Sequence, residues 1–513
     1  MPEPKDYAKR LARGSSIIFA GLAIAGVMGI LLRMFLTRTL SEYDYGLFYA
    51  VFVAVSFFGL FRDLGLYTAL EKFTPEFMLK KKYGEVKSSM IITMLVQMLL
   101  TLPLTIFLLL FSDQIAVAVI GTVAASLMIK VFAVWLFLTI FFNVFRFTYQ
   151  GFQDPVPYTG MEVFYPVLTL GLAFLFVSVF NFGVAGVALA YLVGVPILVA
   201  AWVGLVWKRR PQVITGKTNV GKPLAKKLLK FGLPVFLAGM AATVLGYTDT
   251  IMLSIIHGPT AVGLYQAAQP LTTMISYFTA ALGMVLLPMV SEIWARGERA
   301  VLSKAMHSIL KFSTIIITLP VFILAAFPDT ILRTMFGAQY VLAAATLQVL
   351  TFVLILSSLF LILQCVSAGV GKPMIATKAV AVMALLNVIL NAMLIPGYST
   401  VGAAVATFIA QFVGLVIMLY LMGKFIRFVV PVSSILKTIV AGGISLFFII
   451  GLKTLIVLDP WWVRAIIIAV PSVLLYAGLI LVMRAVNRDD LDLVGGTMPF
   501  PKRLVELAKK LTK

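Results

Sequence analysis

The sequence predicts an all-α polytopic membrane protein with 14 transmembrane helices. Of its 513 residues, 61% are hydrophobic and only 12% are charged, whereas soluble domains are about 45–50% apolar and about 25% charged. A soluble fold has too little polar surface to cover so many apolar side chains. The apolar runs are also continuous over about 20 residues, as in membrane-spanning helices, and do not alternate over about 10 residues as in the strands of a β-barrel.

Fourteen apolar runs are long enough to cross about 30 Å of hydrocarbon. The first run is too long for the core of a signal peptide and has no small-residue cleavage pattern, so it is interpreted as a span. The runs lie near 14–37, 44–68, 88–111, 121–145, 157–180, 183–207, 229–256, 261–290, 304–327, 343–368, 374–396, 400–423, 433–457 and 461–483.

Lysine and arginine are distributed unevenly between the two sides of this topology. The net charge is +21, and 34 of the 41 basic residues fall on the side that holds both termini, against 5 on the opposite side. Basic loops stay in the cytoplasm, so both termini are expected to be cytoplasmic in a protein of the cytoplasmic (plasma) membrane. Because the charge is spread over many loops, it forms no nucleic-acid-binding patch, and no nucleic-acid partner is expected.

An internal repeat relates the first six spans to the next six. Four short matches occur in order at offsets of 216 to 218 residues; for example, GLFYA at 46–50 matches GLYQA at 263–267, and GVALA at 186–190 matches GAAVA at 402–406. Six is an even number, so both lobes cross in the same sense and are expected to be related by an axis along the membrane normal. Two such pseudo-symmetric six-helix bundles can rock and expose a cavity alternately to each side.

This repeat predicts the domain organisation. The expected parts are a cytoplasmic tail at 1–13, a first lobe at 14–207, a basic cytoplasmic linker at 208–228, a second lobe at 229–423, two further spans within 433–483, and a cytoplasmic tail at 484–513 that ends in an amphipathic helix at 500–513.

Five segments are informative through their order and spacing: EYDYGL at 42–47, DLGL at 63–66, YTDTIML at 247–253, FGAQY at 336–340 and NAMLIP at 391–396. With them, roughly 14–425 resembles the polysaccharide flippase branch of the multidrug/oligosaccharidyl-lipid/polysaccharide exporter superfamily. The resemblance implies two six-helix bundles that form a V opening outward and inward, and movement of a lipid-linked sugar across the cytoplasmic membrane. The last two spans match the longer members of the family.

Cations inside spans are costly and are therefore candidates for function. Arg62, Arg33 and Lys130 are the candidates in the first lobe, with Asp63 beside Arg62. A pyrophosphate-linked lipid is anionic where it must cross, and a cation in a wet cavity would offset the cost of moving that charge through low dielectric. The alternatives are that Arg33 and Lys130 reach the outer surface, and that Arg62 and Asp63 mark a helix break near Gly65.

Neutral polar residues are expected to line the cavity in the second lobe. Gln266 and Gln269 are the candidates, unless each bridges two helices. Asp249 in span 7 is a candidate for binding a coupling H⁺ or Na⁺, because ionisable groups inside spans often lie on ion pathways; the alternative is that it holds a neighbouring helix. Glu162, about one turn into span 5, is expected at the membrane interface.

No segment of the sequence matches a known enzyme motif in full, so no enzyme activity, cofactor or metal site is expected. The only segment like a phosphate-binding loop, GKT at 216–218, has Pro211 where the first glycine belongs and follows no strand. His257 and His307 are far apart and form no zinc-protease motif. One cysteine, Cys365, permits no internal disulfide.

The sequence therefore predicts a secondary flippase or exporter that acts as a monomer and moves a lipid-linked oligosaccharide or polysaccharide precursor by alternating access. The expected partners are membrane lipids and a sugar on a polyprenyl-(pyro)phosphate carrier, with H⁺ or Na⁺ as the candidate coupling ion. Two alternatives stay open: an H⁺- or Na⁺-coupled multidrug exporter of the same superfamily, and a membrane assembly subunit that transports nothing.

Overall fold

The computed structural model describes residues 4–426, 428–456, 458, 461–487 and 490. Across these residues the chain is 89% helical and has no strands, which confirms the all-α prediction. The amphipathic helix expected at 500–513 lies outside the described residues. The α-helices are α1 (Pro4–Thr39), α2 (Glu42–Phe58), α3 (Leu66–Leu79), α4 (Tyr83–Leu110), α5 (Ser112–Ile115), α6 (Ser126–Gly151), α7 (Pro155–Phe174), α8 (Gly183–Arg209), α9 (Pro211–Thr215), α10 (Lys222–His257), α11 (Pro259–Ala295), α12 (Arg299–Ala326), α13 (Pro328–Met335), α14 (Ala344–Gly369), α15 (Met374–Gly423), α16 (Val432–Leu455) and α17 (Trp461–Val482).

Helices long and apolar enough to cross a membrane dominate the described part of the chain, and there are twelve of them. The protein is thus a multi-pass membrane protein. α15 has 50 residues with a break at Ser399, whose φ is 48° and ψ is −128°. An unbroken helix of that length would measure about 75 Å at 1.5 Å per residue, and Ser399 lies between two of the predicted spans. The count of 14 stays a prediction.

The second predicted span, 44–68, is broken. α2 is followed by a short 3₁₀-helix at Gly59–Arg62, and then Leu64 and Gly65 adopt φ values of 48° and 71°. A Cβ at Gly65 would lie 2.0 Å from the carbonyl oxygen of Gly232 on α10, so glycine alone suits both the left-handed backbone and the close approach. This turn ends α2 and starts α3 directly against α10.

The described residues divide into two compact units. One comprises the described residues of Met1–Pro270 with Ala384–Ala403, and the other those of Leu271–Met383 with Ala404–Lys513. These boundaries differ from those of the lobes expected from the repeat, and the lobes stay a prediction.

In the first unit, α6 is the central helix against which several others pack. This helix contacts α3, α4 and α8, while α1 packs along α7, and α10 packs against α2 and α3. The apolar core between α3 and α6 includes the buried side chains of Leu66, Leu70, Phe77 and Phe145. Such a core holds α6 rigidly beside the break at the end of α2.

Two glycines that the sequence repeat pairs with each other are in contact in the first unit. A Cβ at Gly46 on α2 would lie 1.8 Å from the carbonyl oxygen of Pro259 and 2.8 Å from the backbone nitrogen of Gly263 on α11. Small residues permit this close approach of two helices.

In the second unit, α12 packs against α14 and α16, and α16 packs against α17. Two ion pairs, one toward each end, link the helices of this second unit to each other and to the segments that follow them. The ammonium of Lys311, only 2% exposed on α12, pairs with Asp490 beyond α17. Toward the opposite end, Lys453 Nζ donates to Asp329 Oδ1 at 2.7 Å and links α16 to α13.

Candidate functional site

Arg62 lies on the 3₁₀-helix after α2 and reaches across to α6. Its side chain is buried, with 9% exposure. Nη1 donates to the carbonyl oxygen of Leu136, and Nη2 donates to Thr139 Oγ1 at 3.0 Å. Both acceptors are neutral, so these bonds hold the guanidinium in place without neutralising its charge.

Asp63, the next residue, has different partners. Its Oδ1 accepts hydrogen bonds from the backbone nitrogen of Tyr67 at 3.2 Å and from Gln97 Nε2 at 3.3 Å. The first of these bonds caps the start of α3, where backbone N–H groups lack helical partners. The helix break that the sequence left open as an alternative is therefore present, and Arg62 and Asp63 are both part of it.

Two cavities meet at Arg62. The first has a volume of about 410 Å³ and lies among the break, α6 and α10; its polar lining includes Arg62, Asp63, Thr68, Thr243 and Tyr247. The second has a volume of about 270 Å³ and lies between α6 and α7. Arg62 and Trp135 line both cavities, so these two side chains form the wall between them.

A second arginine lies in the smaller cavity. Arg146 Nε donates to Glu162 Oε1, and the two side chains are 30% and 18% exposed. The predicted span 4 ended at 145, so Arg146 was not among the candidates, and Glu162 was expected at the membrane interface and not in a cavity. α6 continues to Gly151, because the stop signal in the sequence is Pro155 and not the charge of Arg146. Extending the span to that proline would have found this cation.

Arg33 and Gln266, both candidates from the sequence, are bonded to each other. Arg33 Nη1 donates to the backbone oxygen of Gln266 at 2.8 Å and to its Oε1 at 3.3 Å, and the guanidinium lies 4.6 Å from the ring centre of Tyr49. Tyr45 Oη donates to the same backbone oxygen at 3.2 Å, and Gln266 Nε2 donates to Thr250 Oγ1 at 2.9 Å. This node joins α1, α2, α10 and α11.

Two further candidates lie elsewhere. Lys130 is exposed on α6, and Gln269 is half-buried on α11. Neither residue lines the cavities that meet at Arg62. The structure thus brings Arg62 and Asp63 to one cavity and pairs Arg33 with Gln266, but it does not gather all the predicted residues in one place.

Asp249 on α10 is enclosed by neutral donors. The residue is 6% exposed. Its Oδ2 accepts from Tyr265 Oη at 2.6 Å, and its Oδ1 accepts from the side-chain amides of Asn391 at 2.6 Å and Asn387 at 3.1 Å. Within the described residues, Asn391 Oδ1 is buried without a hydrogen-bond partner. Carboxylate and amide oxygens of this kind are suited to binding a hard cation.

Metal sites built from acidic, histidine or cysteine side chains are not found: in the described part of the chain, no three such groups come together. The Asp249 cluster would therefore need the oxygens of its two asparagines to hold an ion.

Known proteins resemble this chain in sequence and in fold. The family described as polysaccharide biosynthesis protein matches residues 11–294, more than half of the chain, and the family MatE matches residues 234–393. The uncharacterized membrane protein MJ1068 of Methanocaldococcus jannaschii is 27% identical over 467 residues, which is 88% of this chain and 91% of that protein.

A function is named for two other similar proteins. The probable low-salt glycan biosynthesis flippase Agl15 of Haloferax volcanii is 25% identical over 242 residues, which is 47% of this chain and 51% of that protein. The lipid II flippase MurJ, solved in an inward closed conformation, superposes with a TM-score of 0.74 at 16% identity and covers 90% of this chain and 98% of its own. At that identity the likeness to MurJ shows the fold alone.

Where a function is named for these similar proteins, it is that of a flippase and not of an enzyme. The helices of this chain adopt the fold of MurJ. The family match covers the α1–α11 region that contains Arg62, both cavities and Asp249. The chain therefore belongs to the polysaccharide biosynthesis protein family, in the polysaccharide flippase branch of the multidrug/oligosaccharidyl-lipid/polysaccharide exporter superfamily.

Proposed function

We propose that this protein is a flippase that moves an oligosaccharide or polysaccharide precursor, linked to a polyprenyl-(pyro)phosphate carrier, across the cytoplasmic membrane by alternating access. The observation that carries the proposal is the position of Arg62. Its guanidinium lies in the wall between two cavities and donates to neutral acceptors. A permanent cation in this position can bind the phosphate of the carrier while the substrate crosses the membrane.

The chemistry favours exchange of those acceptors for phosphate. A phosphate would add the attraction of opposite charges, which the neutral oxygens of Leu136 and Thr139 do not supply, and the planar guanidinium matches two phosphate oxygens at once. Arg62 would exchange the Leu136 carbonyl and the Thr139 hydroxyl for the carrier phosphate. The sugars would pass through the wet cavity while the polyprenyl tail stays in the bilayer.

Alternating access requires contacts that form in one state and break in the other. The node of Arg33 and Gln266 is our candidate, because it joins a residue of the expected first lobe to one of the expected second lobe. Breaking its bonds would let the two lobes separate at this level. A neutral amide is a suitable partner, since it holds Arg33 without the strength of an ion pair.

We further propose that Asp249 binds the coupling ion, H⁺ or Na⁺. Asn391 supports this role, because its side-chain amide donates to the carboxylate of Asp249 and its Oδ1 is buried without a hydrogen-bond partner. A cation would interact with both oxygens, whereas a purely structural carboxylate needs only the donors already present.

The test is transport in liposomes. The purified protein is reconstituted into vesicles with a labelled polyprenyl-pyrophosphate sugar, and the fraction of label on each leaflet is followed with time. We expect flipping that depends on the protein and is lost in an otherwise identical Arg62→Ala preparation. Equal rates in protein-free and protein-containing vesicles would refute the proposal.

A multidrug exporter is the second candidate function. The MatE match to residues 234–393, a region that includes Asp249, favours it. The same vesicles loaded with a lipophilic cationic dye distinguish the two functions. Dye movement driven by an H⁺ or Na⁺ gradient, without movement of the lipid-linked sugar, would favour the exporter.

The orientation of the flippase is a separate prediction. We propose that both termini and the 208–228 linker lie in the cytoplasm, as the distribution of basic residues indicates. Lys217 is exposed on this linker, so Lys217→Cys on a Cys365→Ala background gives a single reactive thiol. In intact cells an impermeant thiol reagent should leave it unlabelled until the membrane is permeabilised. Labelling before permeabilisation would reverse the topology.

A further inference from the structure

We infer that the smaller cavity is a subsite for the sugar ring directly attached to the carrier phosphate, with Arg146, Glu162 and Tyr165 recognising its hydroxyl groups. This inference rests on the proposed flippase function and adds to it the part of the substrate that is recognised and the place where recognition occurs. Three features of the cavity support it: its position, its size and its lining.

The position of the cavity matches the covalent order of the substrate. The first sugar is bonded directly to the phosphate, so the two binding sites must adjoin. Arg62, the proposed phosphate ligand, lines the smaller cavity as well as the larger one. A phosphate held by Arg62 therefore places the next group of the substrate at the entrance to the smaller cavity.

The size of the cavity restricts its occupant. Its volume is about 270 Å³, slightly below the roughly 300–1,000 Å³ of pockets that enclose drug-sized ligands. One sugar ring fits such a space, but an oligosaccharide does not. The larger cavity, at about 410 Å³, is where the remaining sugars would begin.

The lining offers both donors and acceptors, as a ring of hydroxyl groups requires. The bond to Glu162 uses one of the five N–H donors of an arginine, and an ionised carboxylate has about four acceptor sites. Tyr165 adds a hydroxyl, whose oxygen accepts from Trp135 Nε1 at 3.1 Å. The partial exposure of Arg146 and Glu162 leaves both within reach of a ligand.

The aromatic wall of the cavity is held rigidly. The ring of Trp135 packs against Phe52 and Phe132 at centroid distances of 5.4 and 5.6 Å, in addition to its bond to Tyr165. A sugar presents apolar C–H groups on the faces of its ring, and a fixed aromatic side chain supplies apolar area for them with little loss of conformational freedom on binding.

The test compares two ligands on the full-length protein in detergent: a polyprenyl pyrophosphate that carries one sugar, and the same carrier without the sugar. Wild type should bind the sugar-bearing carrier more tightly. Glu162→Gln should weaken that binding about tenfold, the loss expected for one hydrogen bond to a charged group, and should not weaken binding of the sugar-free carrier. Arg62→Gln should weaken both.

The matched control is Asp154→Asn. Arg209 and Asp154 form another partly exposed ion pair of the same unit, with Nη1 and Oδ2 3.2 Å apart, and neither residue lines the smaller cavity. This variant should bind both carriers as wild type does. Should Glu162→Gln fail to fold, as judged by its melting temperature, Tyr165→Phe decides instead, with a smaller loss confined to the sugar-bearing carrier.

The outcomes separate this inference from the function on which it rests. Equal affinity of wild type for both carriers, or equal weakening of both by Glu162→Gln or Tyr165→Phe in folded protein, overturns the sugar subsite while the flippase proposal stands. Absence of binding of either carrier to wild type overturns the flippase proposal too.

Discussion

The wall at Arg62 and the cluster at Asp249 lie in the same compact unit, and each holds a charge in a different way. Arg62 donates to a carbonyl and a hydroxyl beside two cavities, whereas Asp249 accepts from a tyrosine and two asparagines and lines neither cavity. Opposite charges attract each other in addition to forming hydrogen bonds, so Arg62 gains most from an anion that arrives from the cavity. Both carboxylate oxygens of Asp249 already accept hydrogen bonds, and within the described cluster only Asn391 Oδ1 is buried without a partner.

The difference teaches which position is open to a large ligand. A cation in a cavity wall can exchange its partners without unfolding anything, since water or substrate can replace them. An enclosed carboxylate has room for a proton or a small cation at most. We therefore expect substitutions at Arg62 to weaken binding and transport of the substrate. Substitutions at Asp249 should change how the flipping rate depends on the coupling ion.

The largest expected effect is that of Arg62→Ala. Transport should fall by at least about tenfold, because a hydrogen bond to a charged group contributes about 1.5–3 kcal/mol and 1.4 kcal/mol corresponds to a factor of ten. Arg62→Lys keeps the charge but loses the planar fork, so its rate should be intermediate. The measurements are flipping rate in vesicles and melting temperature of each variant.

Two outcomes at Arg62 would change the comparison. Normal flipping by a folded Arg62→Ala protein would remove phosphate binding from this position. A low melting temperature of the Ala variant with nearly full rescue by Lys would mean that the bonds to Leu136 and Thr139 serve only to fix the helix end.

Asp249→Asn should have the next largest effect. The amide keeps the shape and one acceptor oxygen but loses the charge, so substrate binding should persist while the response of the flipping rate to Na⁺ or to pH disappears. The free energy of unfolding should fall by about 1 kcal/mol because the donors of Tyr265, Asn387 and Asn391 lose part of their acceptor. Flipping is measured across a series of Na⁺ concentrations and pH values. An unchanged ion response in the variant would assign Asp249 a structural role.

Lys130→Ala should change transport by less than about twofold, since changes at an exposed side chain away from special features have small effects. Lys130 is exposed and outside the lining of both cavities, although its place in a span made it a candidate. A loss as large as that of Arg62→Ala would show that Lys130 faces the substrate path in another state of the transport cycle.

The smallest expected effect lies in the second unit. Burial alone would raise the pKa of Asp329, but its hydrogen bond to Lys453 and the nearby positive charge lower the pKa below the usual value. The pair should therefore stabilise the fold above the unfolded pKa of about 4 and lose this effect as the pH falls through the lower folded value. Both side chains are partly exposed, so we expect less than about 1 kcal/mol.

The measurement is the difference in melting temperature between wild type and Lys453→Ala. It should be positive at neutral pH and vanish in acid. A difference that does not change with pH would show that Lys453 acts through packing and not through its charge.

Membership of the all-helical membrane class was determined by the sequence alone, because composition and the length of apolar runs do not depend on which helix packs against which. The sequence also allowed the helix break beside Gly65, since a glycine next to two charged residues is a local signal. Arg62 was a good candidate for the same reason: a permanent cation in an apolar run is costly wherever the helix packs.

Only the tertiary structure decided which of these charges share a cavity. The partners of Arg62 lie 74 and 77 residues away on α6, and the partners of Asp249 include asparagines 138 and 142 residues away. No periodicity within one helix encodes such contacts. Arg146 and Glu162 show the same limit. In the sequence they resemble the charged residues at the ends of ordinary spans, and only the packing of α6 on α7 places both side chains in one cavity.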